Sequence, residues 1–205
     1  MTGGLLIGGL LAAPLGGYIA KRVPPKTLLL IGPKEPGFWP HLTAQPEWDG
    51  APDPVDRWSR RVIGGMACDL GGKALFPFGG PPYHPFYKWA LRTGRVWDSP
   101  VRLLVHAGQG LMVSFRGALA LKERIAVPPP SAKPCEGCAA PCLAACPAGA
   151  LGEKGYDVPA CHAYLSGGDR DCMKAGCLVR RACPVTQAYA RMPEQSAYHM
   201  RQFHK

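Results

Sequence analysis

The sequence lacks the signatures of the common hydrolytic and nucleotide-dependent enzymes. It has no G-x-G-x-x-G following a strand, no phosphate-binding P-loop, no serine nucleophile elbow and no helical zinc-protease motif. No repeat of the solenoid kind is present either. Acidic residues are scarce, with 14 Asp and Glu against 24 Lys and Arg, giving a formal net charge of +10. The basic residues are scattered, and only Lys21-Arg22, Arg60-Arg61 and Arg180-Arg181 stand as tight pairs. A solvated basic surface is the plainest reading; an acidic partner or nucleic acid is the alternative, nucleic acid being the less expected of the two.

Long apolar runs are nearly absent, with one exception. Residues 3–20 carry no charge and Lys21-Arg22 follow them. The stretch lacks a basic lead-in, contains Pro14 and is rich in Gly, so membrane helix, soluble leader and signal peptide all remain open. The compartment expected is the cytoplasm, with a membrane tether through residues 3–20 as the other possibility.

Charged residues make up 19% and hydrophobic ones 47%, which fits a globular chain and not a disordered one. Glycine (26) and proline (23) are plentiful, so short elements and many loops are expected. The fold class expected is α+β, with a small α/β front domain ahead of a double-cluster module of short helices and loops. The boundaries read as a leader over 1–26, the front domain over 27–126, a Pro-rich linker over 127–133, the cysteine module over 134–192 and a polar tail over 193–205.

Within the front domain, the run 27–32 (TLLLIG) reads as a buried strand. Asp53-Pro54 opens a helix, with Asp53 as cap and Val55, Trp58, Val62, Ile63 and Met66 as its buried face. Ala74-Leu75-Phe76 is a short strand, and Pro85 starts a second helix through Trp89 and Leu91. Residues 101–106 and 111–121, around a Gly108–Gly110 turn, read as a hairpin. The five tryptophans are expected in the front core, and Cys68 is expected as a buried structural thiol. A C-terminal helix is expected over 184–192.

Nine cysteines are present, and eight lie between Cys135 and Cys183. The first run is Cys135-x2-Cys138-x3-Cys142-x3-Cys146-Pro147, one residue longer in one gap than the bacterial ferredoxin run. Cys161, Cys172, Cys177 and Cys183-Pro184 follow. Three closely spaced thiolates wrap three corners of a cube, and a distant cysteine closes it. Crosswise pairing gives one [4Fe–4S] cluster on Cys135, Cys138, Cys142 and Cys183, and another on Cys146, Cys161, Cys172 and Cys177. Structural zinc and disulfides are the rival readings. His162, beside Cys161, is an alternative donor, although a supporting role suits it better. With two such clusters the net charge would be about +6.

The module from Cys135 to Pro184 resembles the iron–sulfur part of epoxyqueuosine reductase and of corrinoid reductive dehalogenases. The likeness lies in the first Cys run, ACPAGAL (145–151), the lone Cys of CHAYL (161–165) after Tyr156-Asp157, and the final Cys-Pro. No Asp here matches the catalytic acid of epoxyqueuosine reductase, so its tRNA activity is not carried over. PYHPFYKWAL (82–91) followed by LLVHAGQGLMVSFRGALAL (103–121) is similar to a segment of cobalamin-processing proteins of the methylmalonic aciduria and homocystinuria type C family. That likeness implies a cobalamin or flavin pocket, with Tyr83, His84 and Arg116 as candidate cofactor-binding residues. His106 is a further candidate for an anionic group. Locally, residues 8–30 are similar to the end segment of sulfite-exporter-type membrane proteins. Two functions are therefore expected as alternatives. One is a ferredoxin-like electron carrier serving a redox partner protein. The other is a reductase whose clusters feed electrons to a cobalamin or flavin.

Overall fold

In the computed structural model, which describes residues 5–11 and 25–205, the apolar run after residue 26 forms a strand buried along its whole length. The elements in chain order are β1 (Leu5–Leu11), β2 (Thr27–Pro33), α1 (Phe38–Thr43), α2 (Pro54–Asp69), β3 (Lys73–Leu75), α3 (Phe86–Leu91), β4 (Val96–Asp98), β5 (Leu104–His106) and β6 (Gly117–Leu121). They are followed by a 3-10 turn (Pro141–Leu143), β7 (Leu151–Gly152), β8 (Gly155–Tyr156), α4 (Val158–Leu165), α5 (Asp171–Ala175), α6 (Leu178–Arg181), α7 (Pro184–Gln187) and α8 (Pro193–Phe203). Helix and antiparallel sheet are mixed, as in an α+β fold.

The chain divides into two units and crosses between them three times. One unit takes residues up to Arg95 and then Ser114–Pro130; the other takes Val96–Val113 and Ser131–Lys205. Residues 96–113, which the sequence assigns to the front domain, thus group with the cysteine module.

The first unit is built on a four-stranded antiparallel sheet of order β1-β2-β6-β3. β2 is internal, which explains its unbroken apolar run: Leu28, Leu29, Leu30 and Ile31 are all buried. Helix α2 packs Ile63 and Ala67 onto Leu29, Ile31, Leu119 and Leu121. The approach is close enough that a Cβ on Gly117 would stand 2.7 Å from Ile63 Cδ1. Beyond β6, Thr27 Oγ1 donates to Glu123 O (2.6 Å) and accepts from Ile125 N (3.0 Å), tying the exit of β6 to the start of β2.

Several expectations change at this level. Asp53 precedes α2 as expected, but its side chain makes no capping hydrogen bond; its carbonyl accepts from Asp56 N and Arg57 N instead, at φ 53°. Cys68 is exposed, because Ile63 and Ala67 turn the other face of α2 to the sheet. The hairpin expected over 101–121 does not form. β5 pairs with β4, in register Val96 with His106 and Asp98 with Leu104, and β6 pairs with β2 and β3. The glycine turn closes only a single bridge between His106 and Gly110. Trp58, Trp89 and Trp39 are buried in the first unit, whereas Trp97 packs against the core of the second.

The second unit consists of short helices and two small hairpins. Its buried core joins Val101, Val105 and Leu111 of the inserted segment to Cys142, Leu151, Val179 and Cys183. The helix expected over 184–192 stops at Gln187, and the supposed polar tail is helical: α8 starts at Pro193, packs on α5 and buries Gln195, Ser196 and Ala197. Among the described residues no helix is long and apolar enough to cross a membrane. Of the apolar leader, residues 5–11 form β1 alongside β2, and residues 12–20 lie outside the described residues.

Candidate metal centre

The cysteines of the module sit on turns, on short helices or just before them. Cys135 O accepts from Cys138 N (3.3 Å) across a turn in which Gly137 takes φ 75°. Ala140 follows in the left-handed region and leads into the 3-10 turn that carries Cys142. Cys161 rides on α4, whose first turn is capped by Asp157, its Oδ1 accepting from Ala160 N (2.9 Å). Cys172 lies on α5, and Cys177 and Cys183 immediately precede α6 and α7.

Cys135, Cys138, Cys142 and Cys183 line one pocket. About 410 Å³ inside it, counting its open mouth, is free of protein atoms. Ser99, Pro100, Val105 and Leu111 from the inserted segment form one of its walls. That wall is held in place by Leu111 N, which donates to Thr186 Oγ1 (2.9 Å). Gly110 permits the fit: at φ 56°, a Cβ there would stand 2.5 Å from Thr186 N and 3.0 Å from Cys183 Sγ.

Electrostatics divides the thiols into the same two sets. Burial, first of all, raises the pKa of Cys135 and Cys142; Cys183 and Cys138 act on both in the same direction, as does Cys142 on Cys135. Burial likewise raises Cys161 and Cys172, and there the neighbouring thiols are Cys177 for both, Cys146 for Cys161 and Cys161 for Cys172. In each case the neighbours acting on a thiol belong to its own quartet.

Donors already point at several sulfurs. Ala140 N donates to Cys138 Sγ (3.4 Å) and Ala150 N to Cys146 Sγ (3.2 Å). The Tyr156 hydroxyl hydrogen-bonds Cys161, lowering the thiol's pKa against the effect of burial, while burial and this bond push the Tyr156 hydroxyl up. The Tyr156 and His162 rings both stack on Phe203 of α8, at 6.1 and 4.5 Å between centroids. His162 Nδ1 is also 2.7 Å from His204 Nδ1, so this histidine has its own partner on the C-terminal segment. The Arg180 guanidinium donates to Leu111 O, and Cys177 and Tyr156 partly offset the lowering of its pKa by burial. An arginine stays protonated under such a shift.

Among the described residues, no group of three or more His, Cys, Asp or Glu is arranged to hold a single metal ion. A cubane makes a different demand. Its irons are separate corners, each taking one thiolate, so its ligands surround a pocket and not a point. Four thiols around one cavity, with amide donors aimed at sulfur, fit that demand in their chemistry.

The candidates of the first unit go to different surroundings. Tyr83 is 65% exposed in the loop before α3. His84 stacks on Trp89 (5.6 Å), and burial, then the charge of Lys73, lower its pKa. Arg116 pairs with Asp56, donates to Ser59 Oγ (3.3 Å) and lies over Phe78. In the second unit, His106 Nδ1 accepts from Gly108 N (3.0 Å), inside its own turn. The contribution of Ser99–Leu111 to the thiol pocket is what sequence reasoning misses. Its only signal is Gly108-Gln109-Gly110, which reads equally well as a hairpin turn.

No family model matches the chain, and neither a curated protein nor a solved structure does.

Proposed function

We propose that the second unit is a ferredoxin-like module holding two [4Fe–4S] clusters, and that the protein transfers single electrons. The observation that carries this reading is the pocket where Cys183 joins Cys135, Cys138 and Cys142 from a remote part of the chain. These four would hold the first cluster; Cys146, Cys161, Cys172 and Cys177 would hold the second. Bound there, the clusters would supply one-electron chemistry at potentials set by hydrogen bonds to sulfur, by charge and by solvent access. The protein's part is to exclude water with small apolar residues, to direct Ala140 N, Ala150 N and the Tyr156 hydroxyl at sulfur, and to place the Arg180 cation near Cys177. The thiols with raised pKa must lose their protons on ligation, so assembly releases protons. The acceptor is a redox partner protein, for which the basic surface favours an acidic face.

Iron and acid-labile sulfide per chain, on anaerobically purified protein, test the reading. About eight of each is the expected result. About four would leave one quartet without a cluster, and stoichiometric zinc without iron would end the electron-transfer reading.

One feature of the first unit favours the reductase alternative. Arg60 and Arg116 both lie over the Phe78 ring, at 5.0 and 5.2 Å, beside a loop that exposes Tyr83. Cationic aromatic surroundings of this kind suit an anionic cofactor. A spectral shift on adding FMN or cob(II)alamin at micromolar concentration would rule out a pure carrier.

A further inference from the structure

The pocket around Cys135, Cys138, Cys142 and Cys183 is poor in side-chain donors, although backbone N–H groups of Ala140, Cys142 and Leu143 act on its sulfurs. Pro100, Pro134, Pro141 and Pro184 lie in its wall and have no amide N–H. Leu111 N is taken by Thr186 Oγ1, and Ala140 N by Cys138 Sγ. Apart from the cysteines, the lining has a single polar side chain, Ser99. Ser99 is 5% exposed, and its backbone is fully engaged: N donates to Leu103 O (2.9 Å) and O accepts from Arg102 N (3.0 Å). Its hydroxyl, however, is buried without a hydrogen-bond partner. A buried hydroxyl left unpaired is costly, and native structures rarely keep one without a use.

We infer that the Ser99 hydroxyl donates a hydrogen bond to a sulfur of the first cluster and raises that cluster's reduction potential. The inference rests on the proposed cluster at this quartet. One-electron reduction takes such a cluster with its four thiolates from about −2 to about −3, the electron coming from the external reductant. A donor at sulfur stabilises the more negative form, so its removal makes reduction harder. Ser99 thereby gives a function to the inserted segment 96–113, which supplies this donor from outside the cysteine run.

The test is a redox titration of the intact holoprotein, followed by electron paramagnetic resonance, for wild type, Ser99→Ala, Ser99→Thr and Ser99→Cys. In Ser99→Ala, the reduced-to-oxidised ratio of one cluster at a fixed potential should fall about tenfold, which is about 59 mV for a one-electron couple. Ser99→Thr should restore it, and Ser99→Cys, a weaker donor, should fall between. The couple that moves should be the one missing from Cys183→Ser. Iron should stay at the wild-type level in all three Ser99 variants. Unchanged potentials with unchanged iron overturn the inference. So does loss of iron in Ser99→Ala and Ser99→Cys together, since Ser99 would then be a packing residue. A shift in the other couple overturns it as well. Wild-type protein that binds no iron–sulfur cluster is a separate result, because it removes the parent reading before any variant is compared.

Discussion

The two units fill their centres with different material. In the first, Leu29, Ile31, Ile63, Ala67, Leu119 and Leu121 close a sheet against a 16-residue helix. In the second, the helices α4 to α7 have eight residues or fewer, and two of the seven buried core residues are cysteines. Cys135, Cys146 and Cys177 pack at the edge of that same core. Short helices are marginal by themselves, and burial of thiols gives less than burial of leucine. The comparison teaches that the first unit closes its centre with aliphatic side chains, whereas the second includes thiols in its own, the feature on which the proposed clusters rest.

Removing the proposed clusters should sharpen that difference most strongly. Oxidative destruction of the proposed clusters followed by chelation should unfold the second unit, on the order of 10 kcal/mol being at stake where a metal site organises a small fold. Hydrogen exchange would then show lost protection over 96–113 and 131–205 and retained protection in β2 and β6. Equal protection before and after would mean that the second unit stands without metal. Next in size are the ligand substitutions. Cys183→Ser and Cys161→Ser should each lower iron from about eight to about four per chain, each at the expense of a different couple. Exposed Cys68, changed to Ser, should leave iron unaltered.

The converse perturbation acts on the first unit. Ile63, fully buried under the sheet, should cost about 3 kcal/mol when cut to Ala, read as a lower urea midpoint with full iron content. Gly110→Ala is smaller and falls on the second unit: about 1–3 kcal/mol of backbone strain and crowding against Thr186, with weakened iron binding at the first quartet. Wild-type iron in that variant would contradict the close approach of residue 110 to Cys183. The smallest effect is the pH response of His84. Burial and Lys73 hold its pKa below 6.5, so the folded state favours the neutral ring. The stability it contributes is present above pH 6.5 and is lost as the pH falls through that value towards its folded pKa. The urea midpoint of the first unit should therefore drop between pH 7.5 and 5.5, and less so in His84→Gln.

Local signals in the sequence carry far, and long-range pairing sets their limit. β2 is legible because an internal strand needs no alternation, and α2 because Val55, Trp58 and Ile63 repeat at helical spacing. The concentration of eight cysteines between Cys135 and Cys183 is legible directly. Strand partners are not. Residues 101–106 and 111–121 flank a glycine turn and look like a hairpin, yet β6 satisfies its backbone with β2 and β3. Nothing within the segment announces that choice, because the partner strands lie far off in the chain. Helix α8 escapes notice for another reason: its buried face presents Gln195, Ser196 and Ala197, which carry little hydrophobic signal.

The threefold crossing of the chain has a consequence for the order of synthesis. Strand β6, the last of the main sheet, leaves the ribosome before the first module cysteine does. The front sheet can therefore close during translation, with residues 96–113 looped out and still lacking the other half of their own unit. That loop waits, with Val101, Val105 and Leu111 uncovered, until Cys183 and Thr186 have emerged. On the proposed reading, cluster loading would be the closing event of biogenesis, and the waiting segment is where a chaperone or a protease would first find an unloaded chain.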